Sequence, residues 1–468
     1  MKQIDAMQEK NLRNIYRLIY EERGISRKKI CDVLGMCRPT ACNYLEQLES
    51  EGRIYREGVF RSTGGRPAAI YRCVPDARLA VGLEMTAERV RIAVVDLYGK
   101  ILREETMDMP FQKKKTYFRR INERIHHLLG QVADDGNNRR GRSPGGGSSQ
   151  LGRIPGGEDR LLGVMAAVQG VLAPDGSKVI FSGLLDNAEL TIEDFRESFD
   201  FPVKMVHDAE AAAFAEMKRT GLLAPEMERR FRTQAARTPV ETRKQKIDEE
   251  QEQGNYLYLS LNPSLGSAMI RKGRLHTSNG FGAGVAEHMI LFPEGETCYC
   301  GNRGCADTRL RAQNLEEKSE LTIPAFFGVL RTEDGRTVED VADPFEVIQM
   351  KLGGMSDAEI KEMLEPEGVS TEQEQALYQK CRKIWDQYLE DLARLIYNIR
   401  LLGMGDVILG GVLEPYLTKD DLEKIQEHIR GYGRLGQIPF RLERGRCGAS
   451  AAVVGAGLLL VEEYLAEA

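Results

Sequence analysis

Three thiols and one imidazole stand within eighteen residues of this chain: His288, Cys298, Cys300 and Cys305. Nine residues separate His288 from Cys298, one separates Cys298 from Cys300, and four separate Cys300 from Cys305. Thiolates and imidazole are the donors that tetrahedral Zn²⁺ takes, and four protein ligands leave no open position, so the spacing predicts a structural Zn²⁺ rather than a catalytic one. Gly301 and Gly304 lie inside the loop, where backbone freedom lets the thiols converge on one centre. Free cysteines beside a surface histidine are the plainer alternative.

A second chemistry is written near the N-terminus. Leu12, Ile15, Tyr16 and Ile19 fall on one face of a short helix that Gly24 stops. Ser26 is placed to cap a second helix holding Ile30, Val33 and Leu34, and Gly35-Met36 makes a tight turn. A third helix follows, with Pro39 in its first turn, Ala41, Tyr44, Leu45 and Leu48 on its buried face, and Gly52 at its end. Two β-prone runs joined by a basic Gly-rich tip complete a winged helix-turn-helix over residues 1–76. The exposed face of the third helix offers Arg38, Thr40, Asn43 and Gln47 for base edges in a major groove. Arg61 and Arg66 in the Arg61-Ser-Thr-Gly-Gly-Arg66-Pro67 tip suit a narrow minor groove. A protein-interaction domain with a solvated basic face would show the helices but does not require the basic wing.

Charge supports the nucleic-acid reading. Residues 1–75 hold fourteen Lys/Arg against nine Asp/Glu, a balance of +5 in a chain whose net charge is −6, so the remainder carries −11. At 468 residues the chain exceeds one core. It contains no apolar run of eighteen residues and no signal-peptide core, which predicts a cytoplasmic protein that does not span a membrane. Nine cysteines, an odd number with six scattered, suit a reducing compartment better than a disulfide framework.

The elements that must carry these groups read out in order. Residues 79–105 alternate as consecutive antiparallel strands, and a charged helix follows at about 115–132. Residues 133–160 are Gly/Ser/Arg-rich and predict a disordered insertion; residues 225–254 predict a second, disordered or helical. LLGVMAAVQGVL reads as a buried strand, and PVKMVHDAEAAAFAEM as a strand ending at Asp208 and feeding an Ala-rich helix. NYLYLSLNPSLGSAMIRKG reads as a hairpin. Beyond the metal pattern the chain reads as mostly helical with one late strand, residues 406–411, and a final small-residue helix from about Ala449.

These pieces in this order resemble the ROK family (repressors, open reading frames and kinases), in particular its xylose-repressor-like regulators. SRKKICDVLGMCRPTACNYLEQLESEGRI with STGGRPAAIYR is similar to the family's DNA-binding head, and His288 with CYCGNRGC to its zinc signature. The resemblance covers nearly the whole chain outside the two insertions. It implies an α/β fold: the winged helix-turn-helix followed, over residues 77–468, by an actin-like, hexokinase-like body of two lobes. It also implies homodimers or dimers of dimers, a double-stranded DNA operator and a sugar or sugar-phosphate effector.

Set against the family's kinases, several residues depart. Asp-x-Gly-Gly-Thr becomes Glu84-Met85-Thr86-Ala87, and Gly-Thr-Gly-Ile-Gly becomes Asn262-Pro263-Ser264-Leu265-Gly266, so the backbone amides that cradle phosphate are depleted. Asp208 matches the kinase base position, although it reads equally as a helix cap. Val285 replaces the sugar-binding Glu, Glu287 stands where Gly is usual, and Ala306-Asp307 replaces Leu-Glu. Asn187, Asp208, Glu287, His288 and Asp307 are the expected effector set of a repurposed polar cleft; a vestigial cleft in a body that serves dimerisation or protein contact, with Glu287 a mere surface residue, is the alternative. The expected function is a carbohydrate-responsive DNA-binding regulator of the repressor class, with no catalytic residue. A sugar kinase with an accessory DNA head and a constitutive DNA-binding scaffold without ligand are the competing readings.

Overall fold

The computed structural model describes residues 2–59, 69–140, 160–182, 190–220, 255–272, 274–276, 286–331, 371–403 and 405–467. The chain divides into two compact units, one built from 1–253, 273–282 and 450–468, the other from 254–272 and 283–449.

The first unit opens with α1 (Lys2–Glu22), β1 (Ile25–Ser26), α2 (Arg27–Leu34), α3 (Arg38–Ser50), β2 (Ile54–Val59) and β3 (Ala69–Cys73). Ser26 caps α2, its hydroxyl accepting the Lys29 amide at 3.3 Å, and Gly35 closes it at φ +63°. Ala41, Leu45 and Leu48 are buried, and Tyr44 is half-buried. The strands pair antiparallel in the order β1-β3-β2, giving the expected winged helix-turn-helix. The first helix differs from its expected length: it starts at Lys2 and runs 21 residues. Lys, Gln, Ala, Met and Glu in its first half are strong helix formers, so nothing stops the helix short of residue 2. It also buries Leu18 and Tyr20, beyond the expected stripe, because a second face packs on the lobe that follows.

That lobe holds β4 (Leu79–Met85), β5 (Arg89–Val95), β6 (Ile101–Asp108), α4 (Lys115–Arg140), β7 (Leu161–Val168), the ribbon β8 (Val171–Leu172) and β9 (Val179–Phe181), α5 (Ile192–Arg196), β10 (Val203–His207) and α6 (Asp208–Thr220). The sheet order is β10-β7-β4-β5-β6, with β4, β7 and β10 parallel and β4-β5-β6 antiparallel. Phe118, Ile121, Ile125 and Leu129 of α4 pack with Phe195 and the strands in one apolar core. Helix α4 runs to Arg140, eight residues into the expected 133–160 insertion, since each added residue gains a backbone hydrogen bond once a helix is nucleated. The rest of that insertion through residue 159, and all of 225–254, lie outside the described residues.

The second unit holds β11 (Tyr256–Leu261), β12 (Leu265–Arg271), a 3₁₀ turn at Ala286–His288, α7 (Asp307–Leu310), α8 (Gln313–Ser319), α9 (Ile323–Arg331), α10 (Thr371–Arg400), β13 (Asp406–Gly410), α11 (Lys419–Gly431) and β14 (Leu442–Arg444). β12 and β11 form the expected hairpin, and β13 and β14 add parallel to it. The second late strand, β14, was not expected: three residues of mixed polarity carry no period, and pairing with β13 makes them a strand. Trp385, Phe326, Phe327 and Tyr388 centre this core.

The final helix, α12 (Ala451–Glu467), returns to the first unit. Gly448–Ala466 is long and apolar enough to cross a bilayer by length and composition. Val453, Ala456 and Val461 are nevertheless buried, and a Cβ at Gly455 would lie 1.7 Å from the Ala211 carbonyl oxygen of α6. It is a core helix held in backbone contact with its neighbour. None of the nine cysteines forms a disulfide.

Candidate metal centre and ligand site

The metal loop folds on itself through short-range hydrogen bonds. Cys298 N donates to Asn302 O at 2.7 Å, Gly301 N to Cys298 O at 2.9 Å, and Leu291 N to Gly304 O at 2.9 Å. Gly304 has φ +73°, and a Cβ there would come within 1.6 Å of the Phe292 carbonyl oxygen, so the crossing requires glycine. The four donor atoms of His288, Cys298, Cys300 and Cys305 all lie within 4.8 Å of one another. Cys298 Sγ is 3.6 Å from His288 Nδ1, and Cys300 Sγ is 3.5 Å from Cys305 Sγ. A tetrahedral site with ~2.0–2.3 Å bonds has ligand edges of about 3.5–3.8 Å, so the spacing fits a metal of that kind. Burial pushes the Cys298 thiol up to about 11 and raises Cys305 as well. A cation would replace those protons. The cluster can hold a metal ion.

Glu287, one residue before the first ligand, is buried. Ser267 of β12 donates its hydroxyl to Glu287 Oε2 at 2.8 Å and accepts the Ala286 amide at 3.0 Å. The surface-residue alternative is therefore overturned. Asp307, two residues after the last thiol, is also buried and accepts the Leu265 amide at 2.8 Å; burial raises its pKa. His288, Glu287 and Asp307 thus belong to one local frame in the second unit. Ser267 was missed in the sequence because its partner lies twenty residues away.

Asp208 belongs to the first unit. It is buried at the β10–α6 junction, its Oδ1 accepting the Ala209 amide at 2.8 Å and lying 3.5 Å from His207 Nδ1. Its hydrogen bond is local, to an amide in the first turn of α6. Glu84 of β4 was not singled out as a site residue. Burial raises its carboxyl to about 7, Arg91 at 3.8 Å opposes the shift, and the Asp208 charge adds to it. Asn187 lies outside the described residues, as does Val285.

The loop matching the kinases' second phosphate segment is internally occupied. Asn262 Oδ1 accepts the Val412 amide at 3.0 Å, and Asn262 Nδ2 donates to Ser260 Oγ at 2.9 Å. A backbone donor beside Gly411 is thus taken by a side chain of the same unit.

On α3, Arg38, Asn43 and Gln47 are exposed, while Thr40 is half-buried and shares a 3.0 Å hydrogen bond with Cys37 Sγ. Gln47 donates to Glu51 at 2.9 Å. Arg61 and Arg66 lie outside the described residues.

Residues 243–463 match the model of the ROK family. The xylose repressor of Caldicellulosiruptor bescii is 20% identical over 294 residues, 63% of this chain and 61% of its own length. The Escherichia coli DNA-binding transcriptional dual regulator NagC is 22% identical over 319 residues, 67% of this chain and 66% of its own length. The chain thus spans about three fifths to two thirds of the length of these curated relatives. A solved ROK family transcriptional regulator, a homologue of the E. coli MLC protein, superposes with a TM-score of 0.61 at 17% identity, over 98% of this chain and 97% of its own.

Proposed function

The chain carries a ROK family domain, and from that premise we propose that it is a DNA-binding transcriptional regulator, a repressor of carbohydrate-related genes, working from the cytoplasm. Residues 1–76 form the DNA-binding domain and 77–468 the effector and oligomerisation body. The observation that carries this reading is the α3 face: Arg38, Asn43 and Gln47 are exposed on the second helix of a helix-turn-helix, inside an N-terminal segment of net charge +5. Arg pairs with guanine, and Asn or Gln with adenine. Arg61 and Arg66 supply the wing contact.

The body holds structural Zn²⁺ through His288, Cys298, Cys300 and Cys305. With four protein ligands, the ion supplies folding energy and fixes the loop that carries Glu287 and Asp307. In the second unit, Glu287 and Asp307, beside the metal ligand His288, receive a sugar or sugar phosphate. Carboxylates and amides serve that ligand because hydroxyls both donate and accept. The protein acts as a homodimer or a dimer of dimers, which places half-sites about 34–36 Å apart or multiples of that. Internal use of the Val412 amide by Asn262 supports a body without phosphoryl transfer.

The test is selection of duplexes from a random pool by the full chain, with affinity followed across salt. A preferred duplex and a falling log affinity with log salt are expected. Failure to select any duplex sinks the regulator reading, and sugar-dependent ATP turnover would put the kinase reading in its place.

A further inference from the structure

One side chain bridges α1 of the DNA-binding head and the helix that begins at Asp208. Glu462 of α12 lies between two cations: its Oε2 accepts Lys218 Nζ of α6 at 2.6 Å, and its Oε1 accepts Arg17 Nη2 of α1 at 3.1 Å. Arg17 also donates to Glu21 at 2.9 Å, so the chain of charges continues along α1. Lys218 sits ten residues beyond Asp208 on one uninterrupted helix, a span of about 15 Å.

The geometry between those ends is stiff. Gly455 of α12 meets Ala211 of α6 with no room for a Cβ, and Gly82 of β4 meets Val453 in the same way. Helices in backbone contact cannot slide without clashing, so a displacement at the Asp208 end moves α6 and α12 together. At the far end α1 is held largely through side chains. Tyr20 stacks on Tyr98 at 4.9 Å, and Arg53 of the head lies 4.2 Å over Tyr16 and 5.6 Å from Tyr464 of α12. The ion bridge crosses the joint at half-exposed positions, where it can re-form without a large desolvation cost.

We propose that Glu462 is a positioning residue that transmits the state of the Asp208 end of α6 to the DNA-binding head, through the Lys218–Glu462–Arg17 bridge. A charge link that can break and re-form, beside the Tyr20–Tyr98 stack and the Arg53–Tyr464 contact, gives the two-state element that coupling requires. The inference rests on the regulator reading above for its purpose, but not for its geometry.

Hydrogen exchange on the full chain tests it by a double-mutant cycle. Asp208→Asn should change the exchange of the α1 amides by about threefold or more, and the change should vanish in a Glu462→Gln background. Arg17→Met, on the other side of the link, should abolish it equally. An α1 response to Asp208→Asn that persists in both backgrounds overturns the bridge, and so does the absence of any α1 response in the wild-type background. Duplex selection is run in parallel. A wild-type chain that selects no duplex overturns the regulator reading, while the exchange cycle still decides the bridge.

Discussion

Ser267 donates its hydroxyl to Glu287 across 2.8 Å, and both side chains are buried. The same hydroxyl accepts the Ala286 amide, so one serine fixes the backbone and the carboxylate that precede the first metal ligand. Ser267→Ala should destabilise the body by about 1–3 kcal/mol, since it strands a buried amide. Denaturant unfolding at constant m-value reads this directly; a change within a few tenths would show that the pair is not structural.

The metal loop should bind about one Zn²⁺ per chain. Cys305→Ser should lose the ion by elemental analysis and lower the melting temperature, and a chelator should do the same to the wild type. Because burial holds the Cys298 and Cys305 thiols above their ordinary range, protons compete with the metal, and affinity should fall as pH falls. Zinc content unchanged in Cys305→Ser would remove this thiol from the set.

Glu84 contributes the opposite of the usual carboxylate. Its folded value, about 7, lies above the ordinary 4.5, so the folded chain binds more protons between those values. Its contribution to stability is full below about 4.5, declines as pH rises to about 7, and stays lost above that. Glu84→Gln should therefore stabilise the protein at pH 8 by roughly 1–3 kcal/mol and have little effect at pH 4. Paired unfolding curves at the two pH values check the sign.

On DNA, Asn43→Ala or Gln47→Ala should cost roughly 1–3 kcal/mol on the selected duplex and relax its sequence preference. Arg66→Ala should weaken binding to every duplex and reduce the salt slope by about one. If Arg66→Ala leaves affinity and slope unchanged, the wing makes no phosphate or groove contact. Fluorescence anisotropy across a salt series separates the two classes.

Much was legible in sequence where the physics is local. The His288–Cys305 spacing, the Ser26 cap, the Gly35-Met36 turn and the β4–β5–β6 alternation each concern neighbours within a few residues, and each appears where read. Boundaries were weaker: α1 begins ten residues before the expected stripe at Leu12 and α4 runs to Arg140, because helix propagation follows propensity rather than the end of an apolar pattern. The three-residue β14 had no period to read and exists through its pairing with β13.

What only the tertiary structure decided is the setting of the charged groups. Glu287 reads in sequence as either a surface or a site residue; β12 settles that it is buried by bringing Ser267 to it. Asn262 looks like one residue of a lost glycine loop until the end of β13 sets Val412 against it, 150 positions away. Glu462 lies 445 residues from Arg17, and no period in the chain links them. Residue type and spacing determine which chemistry is available, since a thiol cluster or a basic helix is local. Which carboxylate is dry, paired or poised depends on elements distant in the chain, because desolvation and hydrogen bonding are set by whatever packs against the group.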